Sequence, residues 1–345
     1  MRNMPDRTVK TRVGLMGFGR IGRNVFRILH DRSDIEVVAI VDIVEPAALE
    51  YLLRFDTVHG RFQSPVWTKG DVLYAKGRGI RLIRAKAPGD VDWSALEVDI
   101  VVEATGQYRT REVLQKHLDA GARRVVLTVP PRGPIDALVV MGVNDHVLSP
   151  DTRIVSNASC TANALAPICK ILDDAIGIEL AFMTTVHAYT NDQRLADVPH
   201  SEMRRSRAAA ENIIPTPTHS PTVVQSVLPQ LSGKLDGMAL TVPVPDGSNV
   251  DLVAMMERDV TAEEVNETVK SASLTTFAGI VEFTDQPIVS SDVIGNPHSA
   301  VFDGASTFVL GGNMLKTITW YDNGWGYAMR VVELIGRLAA LEASR

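Results

Sequence analysis

Gly17-Phe18-Gly19-Arg20-Ile21-Gly22 decides the fold, because of what stands on either side of it. Residues 11–16 before it read as a buried strand. Residues 23–29 after it keep Val25, Phe26 and Leu29 on one helical face. Residues 35–41 read as a second strand, rich in β-branched side chains, that ends on Asp42. A strand, a glycine turn, a helix and a strand make a dinucleotide-binding unit. Its glycines let the backbone approach a pyrophosphate, and the helix N-terminus faces that charge. The carboxylate falls at the expected distance, 42 − 22 = 20 residues after the last glycine. There it can accept hydrogen bonds from an adenosine ribose, and it repels a 2′-phosphate, which favours NAD over NADP.

Outward from this unit, residues 98–103 form another buried strand that opens into the tight turn Ala104-Thr105-Gly106. Turns at that end of a parallel sheet hold ligands. Residues 123–128 make the next strand. Strands alternating with helical patterns predict a doubly wound parallel sheet. Further on the texture changes. Residues 179–187, 235–242, 250–257 and 317–321 alternate like strands with one wet face. Residues 202–211, 223–228 and 262–273 read as helices, the last opened by Thr261 and Glu264 as a capping box. The expected fold is an α/β Rossmann-type NAD domain plus an α+β catalytic domain with a mostly antiparallel sheet. The expected boundaries are 11–158 for the first, completed by a C-terminal helix over 324–345, and 159–323 for the second.

Ser156-Asn157-Ala158-Ser159-Cys160-Thr161-Ala162-Asn163 lies at the join, after a strand-like run (152–155) and before a helical one (164–175). A cysteine at a helix N-terminus meets first-turn N–H groups and the positive end of the dipole, which favour thiolate. A substrate oxyanion beside it would meet the same groups. His187 ends an apolar strand and opens a polar loop, so it is the candidate base.

These stretches, with 187 − 160 = 27, resemble the phosphorylating glyceraldehyde-3-phosphate dehydrogenase family. The resemblance covers nearly the whole chain. It includes Gly17 to Arg23, Phe55-Asp56-Thr57-Val58-His59-Gly60, Met141-Gly142-Val143-Asn144, Asn212-Ile213-Ile214-Pro215-Thr216 and Trp320-Tyr321-Asp322-Asn323. It implies a Cys160 nucleophile with His187 as base, a thioester intermediate, and inorganic phosphate as the acyl acceptor. It implies NAD contacts at Gly17, Phe18, Gly19, Arg20, Ile21, Asp42, Lys86, Thr105, Gly106, Thr128 and Asn323. It places substrate and inorganic phosphate at Ser159, Thr161, Thr190, Asp192, Arg204, Thr218, His219 and Thr241. It also implies a homotetramer in the cytoplasm, with the 194–207 loop reaching toward a neighbouring subunit's cofactor.

Departures from the family pattern gather at the anion site. Thr241 stands in place of an Arg, and His219-Ser220-Pro221-Thr222 in place of Gly-Ala-Ala-Lys. A charge-assisted Arg contact is worth about 1.5–3 kcal/mol, so its loss costs roughly one to two decades. Arg194, Arg204, Arg205 and Arg207 are candidates to replace the charge. Gly324 stands for Glu, Val41 for Asn, and Ala162 and Ala164 for Thr and Cys. Two alternatives stay open: the same chemistry on another aldehyde, such as erythrose 4-phosphate or an uncharged one, and a non-catalytic NAD-binding paralogue. The retained Cys160, His187 and Asn323 speak against the second.

The totals set the outer limits. At 345 residues two domains are expected. A net charge of −6 argues against nucleic acid as a partner. No apolar run approaches a membrane span. Residues 1–11 are polar and basic, with no apolar export signal. Cys160 and Cys169 make no disulfide framework and fit a reducing compartment. With no His-x-x-x-His and no Cys-x-x-Cys, no metal site is expected.

Overall fold

The computed structural model describes residues 10–343. Most of the stretch read as free of an export signal, and the last two residues of the expected 324–345 helix, lie outside them. The chain forms two compact units. Among the described residues, one takes in 10–138, Val147–Asn157 and 331–343; the other is Val139–His146 with Ala158–Arg330.

The first unit is built on nine strands: β1 (Thr11–Met16), β2 (Ile35–Asp42), β3 (Val66–Lys69), β4 (Val72–Ala75), β5 (Arg78–Arg84), β6 (Ile100–Glu103), β7 (Arg124–Leu127), β8 (Ala137–Leu138) and β9 (Ile154–Ser156). Their spatial order is β3-β4-β5-β2-β1-β6-β7-β9-β8. From β5 to β8 every pairing is parallel; β3, β4 and β5 form an antiparallel meander at one edge. The helices α1 (Arg20–Leu29), α2 (Pro46–Arg54) and α3 (Arg111–Asp119) connect the strands. Strands β6 and β7 are buried along their whole length. This is why they read as continuous apolar runs and not as alternating ones.

The second unit holds a seven-stranded sheet: β10 (Ile178–Ala188), β11 (Ile214–Thr216), β12 (Leu235–Val242), β13 (Ser248–Met256), β14 (Val281–Thr284), β15 (Ala300–Leu310) and β16 (Met314–Tyr321). The order is β11-β12-β10-β13-β16-β15-β14. Four of its six pairings are antiparallel, and β10–β12 and β14–β15 are parallel. The helix α4 (Cys160–Ala175) packs on β10, β13, β15 and β16, beside α5 (Ser220–Val227) and α6 (Ala262–Leu274). Strand β13 alternates buried and half-buried residues along its length. That is the pattern of a sheet with one covered face.

The segment 202–211 is not the helix its pattern suggests. It forms one 3₁₀ turn, Met203–Ser206. Asp197 takes the next residues away, accepting from the Ala208 N–H at 2.9 Å and from the Arg207 guanidinium at 3.2 Å. At α6, Thr261 accepts from the Glu264 N–H at 3.1 Å, but the Glu264 carboxylate turns to Arg258 at 2.7 Å instead of closing the box. The closing helix, α7, spans Trp325–Ala343. Asp322 caps its start, accepting from the N–H groups of Gly324 and Trp325.

Candidate active site

Helix α4 begins at Cys160 itself, four residues earlier than the apolar periodicity indicates. Ser159 makes the difference: its Oγ accepts from the Ala162 N–H at 3.1 Å as the N-cap. Ala158 before it is fully buried and sits at φ 58. A left-handed alanine costs roughly 1–2 kcal/mol. The turn that presents the cysteine is therefore held by its surroundings.

Across from the helix, His187 stands near the end of β10. The Cys160 Sγ lies 3.5 Å from His187 Nε2, and His187 Nδ1 lies 2.6 Å from the Ala188 carbonyl. A carbonyl only accepts, so Nδ1 carries the proton and Nε2 presents its lone pair to the thiol. The ring is set as a base.

The thiol itself departs from expectation. Burial pushes Cys160 up to about 11, and the nearby Asp246 carboxylate adds to the rise. The N–H and hydroxyl of Thr161 and the cysteine's own N–H pull the other way. The helix N-terminus is present, but it does not outweigh desolvation. A lone thiolate is disfavoured here. Proton transfer to His187 exchanges that lone anion for an ion pair, in which the imidazolium offsets the cost of burial.

Further residues brace the pair. Thr185 donates to the Asn249 carbonyl at 3.1 Å, so the Tyr321 hydroxyl donates to Thr185 Oγ1 at 2.9 Å and accepts from Thr161 Oγ1 at 2.9 Å. The Tyr321 ring meets His187 edge-on at 6.0 Å. Asn323 is also fixed: its Oδ1 accepts from Ser248 Oγ at 2.8 Å, leaving its amide N–H₂ end as the donor. Tyr321 and Ser248 were not identified from the sequence. The alternating pattern of β16 could have placed Tyr321 inward, beside Thr319 and Thr317.

The anion residues divide into two groups. Ser159 Oγ and Ser220 Oγ are 3.5 Å apart, and Thr218 Oγ1 donates to Ser220 Oγ at 3.1 Å. Ser220, a departure from the family pattern, therefore joins two expected phosphate residues. Thr241 is buried and pairs with His187 in the parallel register of β10 and β12, so both side chains leave the same sheet face. The others are exposed side chains. Thr190 is exposed and bonded to Gln193 at 2.9 Å. Asp192 is exposed, with Arg205 at 3.9 Å, and His219 is exposed. Arg204 lines a cavity of about 430 Å³ with Pro215, Pro217 and Met238. Met238 and Thr241 are three residues apart on one strand and so point to opposite faces. Arg205 and Arg207 are ion-paired with Glu202 at 3.0 Å and with Asp197 at 3.2 Å. Arg205 and Arg207 are thus engaged by carboxylates, and Arg204 lines a cavity with Met238, on the face opposite Thr241.

In the first unit the glycine turn has the shape a pyrophosphate needs. Gly17 adopts φ +93, and a Cβ there would sit 2.8 Å from the Ala104 carbonyl carbon and the Thr105 nitrogen. A Cβ on Gly22 would sit 2.2 Å from the Gly17 oxygen, whereas one on Gly19 would meet nothing within 4 Å. Two glycines serve close packing and the third leaves the helix N-terminus open. No side chain caps α1, so its first-turn N–H groups face outward for an anion. Arg20 and Ile21 open that first turn. Asp42 Oδ2 accepts from the Phe18 N–H at 2.8 Å and Oδ1 from Ile43 at 2.7 Å. Oδ1 also accepts from the Val44 N–H at 3.3 Å, so Oδ2 is the oxygen that keeps a further lone pair for a ribose hydroxyl. Thr128 is turned inward, its N–H and hydroxyl both bonded to the Glu103 carbonyl at 3.1 and 3.0 Å. Lys86 is exposed at the end of β5, and its carbonyl accepts from Tyr108 Oη at 2.7 Å.

Comparison with known proteins gives a consistent result. Residues 11–111 match the family model for the NAD binding domain of glyceraldehyde 3-phosphate dehydrogenase, and residues 159–323 match the model for its C-terminal domain. The chain is 47% identical over 333 residues to glyceraldehyde-3-phosphate dehydrogenase 2 of Bacillus subtilis (96% of this chain, 98% of that one). It is 48% identical over 332 residues to the Kitasatospora aureofaciens glyceraldehyde-3-phosphate dehydrogenase (96% and 99%). The Geobacillus stearothermophilus enzyme of the same name is 47% identical over 330 residues (95% and 98%).

Proposed function

Because the chain belongs to the glyceraldehyde-3-phosphate dehydrogenase family, we propose that it oxidises glyceraldehyde 3-phosphate to 1,3-bisphosphoglycerate, using NAD and inorganic phosphate. The observation that carries this reading is the 3.5 Å contact between Cys160 Sγ and a His187 Nε2 whose other nitrogen is tied to a carbonyl.

The chain's residues divide the work as follows. His187 Nε2 takes the thiol proton as Cys160 Sγ bonds to the aldehyde carbon. The developing oxyanion meets the N–H groups at the start of α4 and is protonated from the imidazolium, giving a hydroxyl on the thiohemiacetal. His187 then takes that hydroxyl proton back while the carbon gives up its hydride, leaving an acyl thioester on Cys160. NAD, when bound, supplies the hydride acceptor; Asn323 would hold its carboxamide, and the glycine turn with Asp42 its adenosine diphosphate portion. The hydroxyls of Ser159, Thr218 and Ser220 hold inorganic phosphate, whose oxygen attacks the thioester carbon. The carbon–sulfur bond breaks, the acyl phosphate leaves, and Cys160 recovers its proton from His187. The test is NADH formation with glyceraldehyde 3-phosphate, with and without phosphate. Turnover that does not depend on phosphate, or no turnover, would refute the reading.

One observation favours a second reading, in which the chemistry is kept and the aldehyde differs. Thr241 stands buried on the His187 face, and Arg204, Arg205 and Arg207 are committed elsewhere. An aldehyde panel separates the two readings. If Thr241→Arg lowers KM for glyceraldehyde 3-phosphate at least tenfold while an uncharged aldehyde is the better wild-type substrate, the second reading holds.

We also infer a homotetramer that works in the cytoplasm. Across four adjacent strands, Leu180, Met255, Met314 and Leu310 stand in register as one apolar row on the sheet face away from α4. Leu180 and Leu310 are 55% and 71% exposed. A second copy of the same sheet is the cover we assign to it. Among the described residues no helix is long and apolar enough to cross a membrane, and the free thiols Cys160 and Cys169 suit a reducing compartment. Light scattering at micromolar concentration checks the assembly, and a monomer would contradict it.

A further inference from the structure

The mechanism leaves one buried polar chain unused. Trp93, His117 and Glu103 are all fully buried in the first unit. The indole Nε1–H of Trp93 donates to His117 Nδ1 at 3.1 Å, and His117 Nε2 lies 3.2 Å from Glu103 Oε2. An indole N–H can only donate. Nδ1 must therefore be the acceptor, Nε2 carries the ring proton, and the imidazole donates to the carboxylate. The other oxygen, Glu103 Oε1, accepts from the Thr105 N–H at 2.9 Å and from the Thr105 hydroxyl at 2.5 Å.

Thr105 is the pivot of the second cofactor turn. Its Oγ1 also accepts from the Gln107 N–H at 3.1 Å, across Gly106 at φ +71. Its nitrogen lies against Gly17, where a Cβ would come within 2.8 Å. The indole is wedged at the far end, where a Cβ on Gly14 would meet its ring at 2.5 Å. Every hydrogen in the chain thus has one allowed direction, running from Trp93 to His117 to Glu103, with Thr105 facing it.

We propose that Trp93, His117 and Glu103 are positioning residues for NAD binding. The indole fixes the His117 tautomer, the tautomer fixes the Glu103 carboxylate, and the carboxylate holds the Thr105–Gly106 turn in its binding shape against Gly17. The inference rests on the first unit being the NAD site. It predicts a specific pattern of frustration. Glu103→Gln introduces an amide that must donate at one end. Facing His117, that end meets Nε2–H; facing Thr105, it meets an N–H and an O–H. Shifting the ring proton to Nδ1 would only turn it against the indole N–H. Removing the indole donor frees the tautomer, so Trp93→Phe should partly repair Glu103→Gln.

The experiment is calorimetric titration of NAD into the cofactor-free full-length chain for wild type, E103Q, W93F and the double variant. The expected result is that E103Q weakens NAD on the order of tenfold or more and that the double variant binds more tightly than E103Q alone. The Michaelis constant for NAD should follow the dissociation constant, with kcat changing less. A structural role alone gives no rescue, because deleting the indole from a packed core only adds damage. Additive losses, or an unchanged E103Q, would overturn the proposal. If E103Q does not fold, ¹⁵N-histidine NMR of the wild type decides: an Nδ1–H or doubly protonated His117 overturns it, and Nε2–H with weakened NAD binding in Thr105→Val supports it. A wild type that binds no NAD would instead refute the assignment of the first unit as the cofactor site.

Discussion

His187→Asn isolates what the imidazole does for the thiol. Without the imidazole, nothing offsets the desolvation that pushes the Cys160 thiol up to about 11. At pH 7 roughly one molecule in 10⁴ is then thiolate. Nucleophilicity returns part of this, because a more basic thiolate attacks faster with a slope of about 0.4–0.5, or about two decades over four pH units. The net expectation is alkylation of Cys160 about 10²-fold slower than in a wild type whose ion pair forms near neutrality. The sign with pH is equally definite. A raised thiol pKa means that the variant's rate climbs about tenfold per pH unit toward 11, while the wild type levels off near neutrality. Neutral iodoacetamide, quenched over time and read by peptide mass, gives both profiles. Cys169 is the internal control, fully buried and pushed up to about 12. A variant profile that also levels off near pH 7 would refute the reasoning.

Three other expectations follow from particular contacts. Ser159→Ala removes the cap that starts α4; it should cost about 1 kcal/mol in urea unfolding and lower kcat, because Cys160 is the next residue. Asp42→Ala removes the carboxylate that holds the Phe18, Ile43 and Val44 N–H groups; NAD affinity should fall, and the ratio of kcat/KM for NADP over NAD should rise. Cys169 lies above its usual 9.0, so the folded chain holds that proton more tightly than the unfolded one. Stability from this group is intact below pH 9 and is lost as pH rises toward 12; Cys169→Ala should flatten the fall of the urea midpoint between pH 9 and 11.

What could be read in the sequence follows from how local each signal is. Strand β1, the glycine turn, α1 and β2 each carry their own periodicity, and Asp42 closes the unit at a fixed spacing, so that part was legible residue by residue. The meander of β3 to β5 was not: its strands are short and carry charges at an edge, as in Arg78 and Arg81, so neither alternation nor continuous apolarity stands out. Strand β15 was hidden by a break in register between Asp303 and Phe308. The false helix at 202–211 was decided by Asp197, a carboxylate five residues outside the segment. Cys160 and His187 were legible because one starts a helix and the other nearly ends a strand. Ser220 was not, because only the fold carries its hydroxyl to Ser159 from 61 residues away. The upward push on the thiol is hidden for the same reason, since a helix N-terminus is visible in sequence and desolvation is not.

The central claim is an acyl group carried on Cys160, and a single-turnover experiment tests it most directly. Enzyme, NAD and glyceraldehyde 3-phosphate are mixed without phosphate, NADH is followed, and the Cys160 peptide is weighed after an acid quench. The account predicts a burst of about one NADH per active site, a matching acyl adduct on Cys160, and resumed turnover when phosphate is added. Steady NADH formation without phosphate, or a burst with no adduct on Cys160, would contradict it.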